Sequence, residues 1–134
     1  MLHPFPPIQV VLRDPATVAA HCRDLALLPR EVLVILGVDA HANLLSQQRI
    51  SGQVHGVRAT PRDVLPTLLR ASAEALLLVH NHPSGVLRPS RADILFTQRM
   101  AEAAQICGLR LMDHVIVAGG GWLSMRDAGL LEAL

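Results

Sequence analysis

An uninterrupted apolar run at residues 75–79, Ala-Leu-Leu-Leu-Val, leads directly into the segment His-Asn-His-Pro-Ser-Gly. A run of this kind is typical of a strand that is buried on both faces of a sheet. Residues two apart in an extended chain point to the same face, so His80 and His82 are expected to project together from the strand's carboxyl end. The Pro, Ser and Gly that follow predict a turn that ends the strand there.

Asp93 follows His82 by eleven residues and adds a carboxylate to the two imidazoles. Two imidazoles and one carboxylate, with a fourth position left open, form the ligand set of a catalytic zinc rather than a structural one. A single histidine in a sheet is more often a hydrogen-bonded core residue, but two histidines just before a Pro/Gly-rich loop favour a metal. His80, His82 and Asp93 are therefore the candidate ligands for one zinc ion per chain.

Ser90 and Asp93 also have a purely structural interpretation. Serine at the N-cap with an acidic residue three positions later is typical of a capping box at the start of a helix. A long helix is predicted from Ser90 to Cys107, and its first turn can hold a metal ligand as well as a cap. The two interpretations are compatible, and both stay open.

Taken together, these residues resemble the JAMM (MPN-plus) metalloprotease motif, which reads His-x-His, seven residues, Ser, two residues, Asp. The resemblance is closest to the RadC-type branch of that family, and it extends over roughly residues 29–129. The segments that carry it are residues 80–85, Pro89-Ser90 with Asp93, and the later Asp113-His114-Val115-Ile116.

The resemblance implies a zinc-dependent hydrolase with a peptide or isopeptide substrate. It also implies that Glu31, upstream of the histidines, is the general base and then the general acid. A lone Glu at the start of a strand is usually a solvated charge, but neither Glu74 nor Asp39 fits the role as well. Ser90, at a helix N-terminus beside the ligands, would polarise or bind the tetrahedral oxyanion. Deaminase activity is not expected, because that chemistry uses a Pro-Cys-x-x-Cys segment that is missing.

Two other functions stay open. RadC-type proteins are traditionally described as DNA repair proteins, although we see here no counterpart of the helix-hairpin-helix module of their longer members. The net charge is only +1, the twelve arginines are spread along the chain, and three aromatic residues are too few for a base-stacking platform. The sequence therefore gives no strong support for a nucleic-acid partner. An inactive scaffold would usually have lost a ligand, and none is lost.

The predicted fold is α/β, a mixed sheet of about six strands flanked by helices, which is similar to the cytidine-deaminase-like architecture of the JAMM family. We expect one domain at 1–134, with a core at about 29–129 and an N-terminal extension, 1–28, that holds one helix. That helix is predicted from Asp14-Pro15 to about Leu28, after a candidate edge strand at 8–12. Residues 53–58 are predicted as a strand or a loop, and 125–134 as a small helix.

The strand predicted at 109–118 places Asp113 and His114 on opposite faces, so at most one of them reaches the site. For His114, three roles stay open: a metal-site residue, a partner that orients a ligand, or a buried hydrogen-bonding group. Cys22 and Cys107 are predicted to be small buried thiols. We see no signal peptide and no apolar run of membrane-spanning length, so a cytoplasmic location and no membrane partner are expected. The oligomeric state is not predicted.

Overall fold

A five-stranded mixed sheet organises the residues that the structure, a computed structural model, describes, namely 8–52 and 59–131. The strands are β1 (Val32–Val38), β2 (Leu44–Ser51), β3 (Ala75–Asn81), β4 (Arg110–Ala118) and β5 (Gly121–Ser124). Their spatial order is β2-β1-β3-β4-β5, in which β3 and β4 are parallel and the other neighbouring pairs are antiparallel. The α/β fold and the mixed sheet are confirmed, with five strands among the described residues instead of about six.

Among the described residues, three α-helices and one 3₁₀ helix pack on this sheet. They are α1 (Pro15–His21), the 3₁₀ helix (Arg23–Leu27), α2 (Pro61–Arg70) and α3 (Arg91–Ile106). Asp14 caps α1, since its Oδ1 accepts a hydrogen bond from the N–H of Thr17 at 2.9 Å. The α-helical part ends at His21, earlier than the predicted end near Leu28, and the chain tightens into the 3₁₀ helix. None of the described helices is long and apolar enough to cross a membrane.

Alternate residues of the central strands pack on opposite sides of the sheet. On one side, side chains such as Val34 and Leu77 contact Val18 and Leu25 of α1 and the 3₁₀ helix. On the other side, residues such as Leu33 and Leu78 pack against α2 and α3, which contribute Val64, Leu68, Met100 and Ala104. β3 is buried along its whole length, as its apolar run predicts.

Two local predictions need correction, and a third falls outside the described residues. Around the predicted edge strand at 8–12, the structure has only an isolated bridge between Val11 and Asn43. Residues 53–58 lie outside the described part of the chain. Residues 125–131 form turns rather than a helix, because Gly129, with φ of 76°, ends the chain's helical course after one turn, and the N–H of Leu130 donates back to the carbonyl oxygen of Met125 at 2.9 Å; the last part of this prediction, 132–134, lies outside the described residues. Asp113 Oδ1 accepts from the N–H of Arg126 at 3.0 Å, and Ser124 Oγ accepts from the N–H of Asp127 at 3.0 Å.

The two cysteines differ in their surroundings. Cys22 is fully buried at the end of α1, where burial raises the pKa of its thiol to about 11. Cys107 is exposed at the C-cap of α3, so its predicted burial is wrong. A Gly at position 108 with φ of 78° ends α3 and turns the chain away, and the thiol before it is left at the surface.

Candidate metal centre

His80 and His82 lie at the carboxyl end of β3, on the face that carries Leu76 and Leu78. This face is covered by α3, so the two imidazoles point into a cleft between the sheet and the start of that helix. Nε2 of His80 and Nε2 of His82 are 2.9 Å apart. The two histidines therefore present one nitrogen each to the same point in space.

Asp93 approaches the same point from the first turn of α3. Its Oδ1 lies 3.3 Å from Nε2 of His80, and its Oδ2 lies 3.1 Å from Nε2 of His82. The capping box is present as well: Ser90 Oγ accepts from the N–H of Asp93 at 3.0 Å, and Asp93 Oδ2 accepts from the N–H of Ser90 at 2.8 Å. The cap fixes the carboxylate with its oxygens towards the histidines, so both interpretations of this segment apply to it.

Glu31 reaches the cleft from the start of β1. In the antiparallel pairing of β1 with β3, Leu33 lies opposite His80, so the register extended by two residues sets Glu31 opposite His82. A carboxylate oxygen of Glu31 and ring nitrogens of His80 and His82 all lie within 4.8 Å of one another. The structure thus brings Glu31, His80, His82 and Asp93 together, with Ser90 at the edge of the same cleft.

This donor set fits a zinc ion. Tetrahedral zinc with nitrogen and oxygen ligands at about 2.0–2.1 Å needs its ligand atoms roughly 3.3 Å from one another. The separations among the two Nε2 atoms and the oxygens of Asp93 are 2.9, 3.1 and 3.3 Å. The two histidines can therefore form a set of three ligands with Asp93, and they can form another such set with Glu31.

The electrostatics of the cleft favour a cation. The hydrogen bond to Asp93 raises the pKa of His82, against the opposing effect of burial. Burial would raise the pKa of Asp93, but hydrogen bonds with His80 and His82 outweigh it and hold that pKa well below its usual range. The carboxylate therefore stays ionised, and it stabilises positive charge at the point between the two rings.

A loop carbonyl sets the orientation of the His82 ring. Its Nδ1 lies 2.7 Å from the carbonyl oxygen of Val86. Because a carbonyl only accepts hydrogen bonds, Nδ1 must carry a proton, and in the neutral ring the lone pair of Nε2 then faces the cleft. Metal-binding histidines commonly use such a partner on the second ring nitrogen.

The residue between the two histidines holds Glu31 in place. Asn81 points to the opposite face of β3 and is buried, with 1% of its surface exposed. Its amide contacts the backbone of Arg30 and Val32, on either side of Glu31. No role for Asn81 was expected from the sequence, although an amide in an otherwise apolar strand indicates that a backbone group needs a partner.

Of Asp113 and His114, only His114 faces the cleft, as strand alternation predicts. Its Nε2 lies 2.6 Å from Nδ1 of His80, and its Nδ1 lies 2.6 Å from Oγ1 of Thr97. Burial lowers the pKa of His114 well below its ordinary value, so the ring is neutral. Asp113 lies on the other face, where it accepts hydrogen bonds from Ser124 and from the N–H of Arg126 and where burial raises its pKa. Like Asn81, Thr97 has a contact near the site, with His114, that the sequence did not indicate.

The cleft has a volume of about 450 Å³ and a mixed lining. Leu33, Val86, Ala92 and Phe96 form its apolar wall, and Arg88 brings a positive charge to the same lining. The cleft thus combines an apolar wall with the acid and histidine side chains described above.

Comparison with known proteins gives consistent matches. A family model described as RadC-like JAB domain matches residues 12–130. A "UPF0758 protein" of Thermotoga maritima is 38% identical over 112 residues, which cover 83% of this chain and 50% of that protein. One from Nitrosococcus oceani is 42% identical over 123 residues, which cover 90% and 55%. The chain spans about half the length of the curated relatives it matches.

Proposed function

We propose that this chain, which belongs to the family of RadC-like JAB domains, is a zinc-dependent hydrolase of amide bonds, acting as a peptidase or isopeptidase. One observation carries the proposal: two imidazole nitrogens and both oxygens of one carboxylate converge within 2.9–3.3 Å, beside a second carboxylate in the same cleft. Three protein ligands with a neighbouring acid–base group are the arrangement of hydrolytic zinc sites.

We assign Asp93, rather than Glu31, as the third ligand. Each oxygen of Asp93 faces one Nε2 atom at 3.1–3.3 Å, and the capping box with Ser90 fixes the carboxylate in that orientation. Glu31 is held less closely, with its carboxylate within 4.8 Å of the ring nitrogens. We therefore assign Glu31 as a proton acceptor beside the ligands and not as one of them.

The chemistry is divided between the ion and the chain. When bound, zinc supplies a Lewis acid and lowers the pKa of a coordinated water to about 7. The carboxylate of Glu31 accepts a proton from the attacking water and then donates it to the leaving nitrogen of the substrate. His80, His82 and Asp93 keep their lone pairs directed at one point throughout.

Ser90 is assigned to the oxyanion of the tetrahedral intermediate. Its Oγ already accepts a hydrogen bond from the N–H of Asp93, so the hydroxyl hydrogen is left to donate into the cleft. The position also lies at the N-terminus of α3, a 16-residue helix whose dipole favours negative charge at this end. Both effects stabilise charge that develops on the substrate oxygen.

The proposal is tested by metal analysis followed by a substrate screen. The purified protein should hold about one zinc per chain, and His82→Ala should lose most of it. His41→Ala is the matched control, because His41 is exposed in the turn between β1 and β2 and should leave the zinc content unchanged. Peptide and isopeptide substrates are then compared with and without a chelator. A full zinc complement in His82→Ala, or amide hydrolysis that a chelator does not reduce, would contradict the proposal.

A further inference from the structure

A chain of short hydrogen bonds runs from α3 to His80 through the core. Thr97 Oγ1 lies 2.7 Å from the carbonyl oxygen of Asp93 and 2.6 Å from Nδ1 of His114. Nε2 of His114 lies 2.6 Å from Nδ1 of His80. Exposure is 0% for Thr97, 1% for His114 and 4% for His80, so the donor and acceptor roles have to be settled among these groups themselves.

One assignment directs every hydrogen away from the cleft. If the hydroxyl of Thr97 donates to the carbonyl of Asp93, Nδ1–H of His114 must donate to Thr97 Oγ1. Nε2 of His114 is then an acceptor, and Nδ1–H of His80 donates to it. The remaining nitrogen of His80, Nε2, keeps a lone pair that faces Asp93 and His82.

The opposite assignment directs every hydrogen towards the cleft. The hydroxyl of Thr97 then donates to Nδ1 of His114, and Nε2–H of His114 donates to Nδ1 of His80. A neutral His80 must now carry its proton on Nε2, next to Asp93 Oδ1 at 3.3 Å. In this direction His80 has no lone pair for a cation.

We propose that Thr97 and His114 are positioning residues that set the tautomer of His80, and that metal binding selects the first of the two directions. The inference rests on the proposed metal site, because only a cation in the cleft requires the lone pair on Nε2. When a cation is bound, the hydroxyl oxygen of Thr97 is the acceptor for the buried Nδ1–H of His114. Without this hydroxyl the metal-binding direction leaves a buried donor unpaired, and affinity falls.

Two variants of Thr97 separate the hydrogen bond from the packing. Thr97→Val keeps the branched shape and removes the hydroxyl, whereas Thr97→Ser keeps the hydroxyl and removes a methyl group. Zinc affinity, measured by competition with a chromogenic chelator, should fall about 10- to 100-fold in Thr97→Val, the usual scale for residues that orient a ligand. Thr97→Ser should remain close to the wild type.

The tautomers themselves are observable in the wild-type protein. Long-range ¹H–¹⁵N correlation spectra of the zinc-loaded protein should show the proton on Nδ1 of both His80 and His114, with Nε2 of His114 unprotonated. A purely structural role for His114 would not require this pattern. The measurement also decides the matter if Thr97→Val fails to fold.

Each result bears on a different claim. Equal zinc affinity in Thr97→Val and Thr97→Ser, or a proton on Nε2 of His114 in the loaded protein, would overturn the inference and leave the proposed zinc site intact. Wild-type protein that binds no zinc would overturn both. Reduced affinity in Thr97→Val alone, with the expected tautomers, supports both.

Discussion

Oδ1 of Asn81 accepts a hydrogen bond from the backbone N–H of Val32 at 2.7 Å, in a contact between residues 49 positions apart. Nδ2 of the same amide donates to the carbonyl oxygen of Arg30 at 2.8 Å. The amide thus holds both peptide groups that flank Glu31. Since one partner only donates and the other only accepts, a flipped amide would lose both hydrogen bonds.

Asn81→Ala should therefore lose turnover and keep its zinc. Removal of the amide frees the backbone around Glu31, and displacement of a catalytic group by about 1 Å costs roughly 10²-fold. Zinc content, melting temperature and hydrolysis of the amide substrate identified in the screen are compared with the wild type. Asn43→Ala is the control. The amide of Asn43 donates a hydrogen bond to Asp39 in the turn between β1 and β2, and its loss should leave turnover unchanged. Loss of zinc from Asn81→Ala would give Asn81 a role at the ligands instead.

Glu31→Gln should keep its zinc and its fold while it loses at least ~10²-fold in turnover, the scale of general acid–base catalysis. Gln preserves size and hydrogen bonding, so lost packing cannot explain the drop. Asp93→Asn is the contrast, because it should weaken metal binding as well. Wild-type turnover in Glu31→Gln would place the base elsewhere. Zinc loss in the same variant would make Glu31 a ligand, as its position near His80 and His82 also allows.

Only one of the two thiols should react in the folded protein. A disulfide-exchange reagent at pH 8 should label Cys107, which is exposed, and should reach Cys22 only after denaturant is added. Because burial raises the pKa of Cys22 from 9.0 to about 11, the folded state disfavours its thiolate. The free energy of unfolding keeps its full contribution from the buried thiol below pH 9. This contribution is lost as the pH rises towards 11, because the unfolded chain then releases the thiol proton more readily than the folded chain does. Rapid labelling of both thiols under native conditions would contradict the burial of Cys22.

DNA binding by this chain should be weak and salt-sensitive, without sequence preference. A net charge of +1 and dispersed arginines offer few phosphate contacts. In an anisotropy assay at physiological salt we expect dissociation constants above roughly 1 μM, in the range of non-specific binding. Tight binding at that salt concentration would support a nucleic-acid-linked role for this domain and would direct attention to surfaces other than the cleft.

Several features of this protein follow from short stretches of sequence. The apolar run of β3 and its two-residue periodicity set both histidines on one face, and Ser90 with Asp93 formed the predicted capping box. Such features depend on chain geometry and on hydrogen bonds between residues three positions apart, so the local pattern contains what is needed. Local patterns were wrong for Cys107, because its exposure depends on the surrounding fold. They were also wrong for the predicted C-terminal helix, because the stop signal of Gly129, with φ of 76°, was overlooked.

The tertiary structure alone decided how Glu31 and His80 are held. The sequence indicated Glu31, His80, His82, Asp93 and Ser90 as site residues, and local contacts orient the last three, but the contacts that orient Glu31 and His80 join distant segments. Asn81 reaches Arg30 and Val32 across the β1–β3 pairing, and His114 reaches His80 from a parallel neighbour 34 positions later. Pairing register and the packing of α3 on the sheet bring these groups within hydrogen-bond distance. Because neither is encoded in the spacing of any one segment, the roles of Asn81 and Thr97 became visible only in three dimensions.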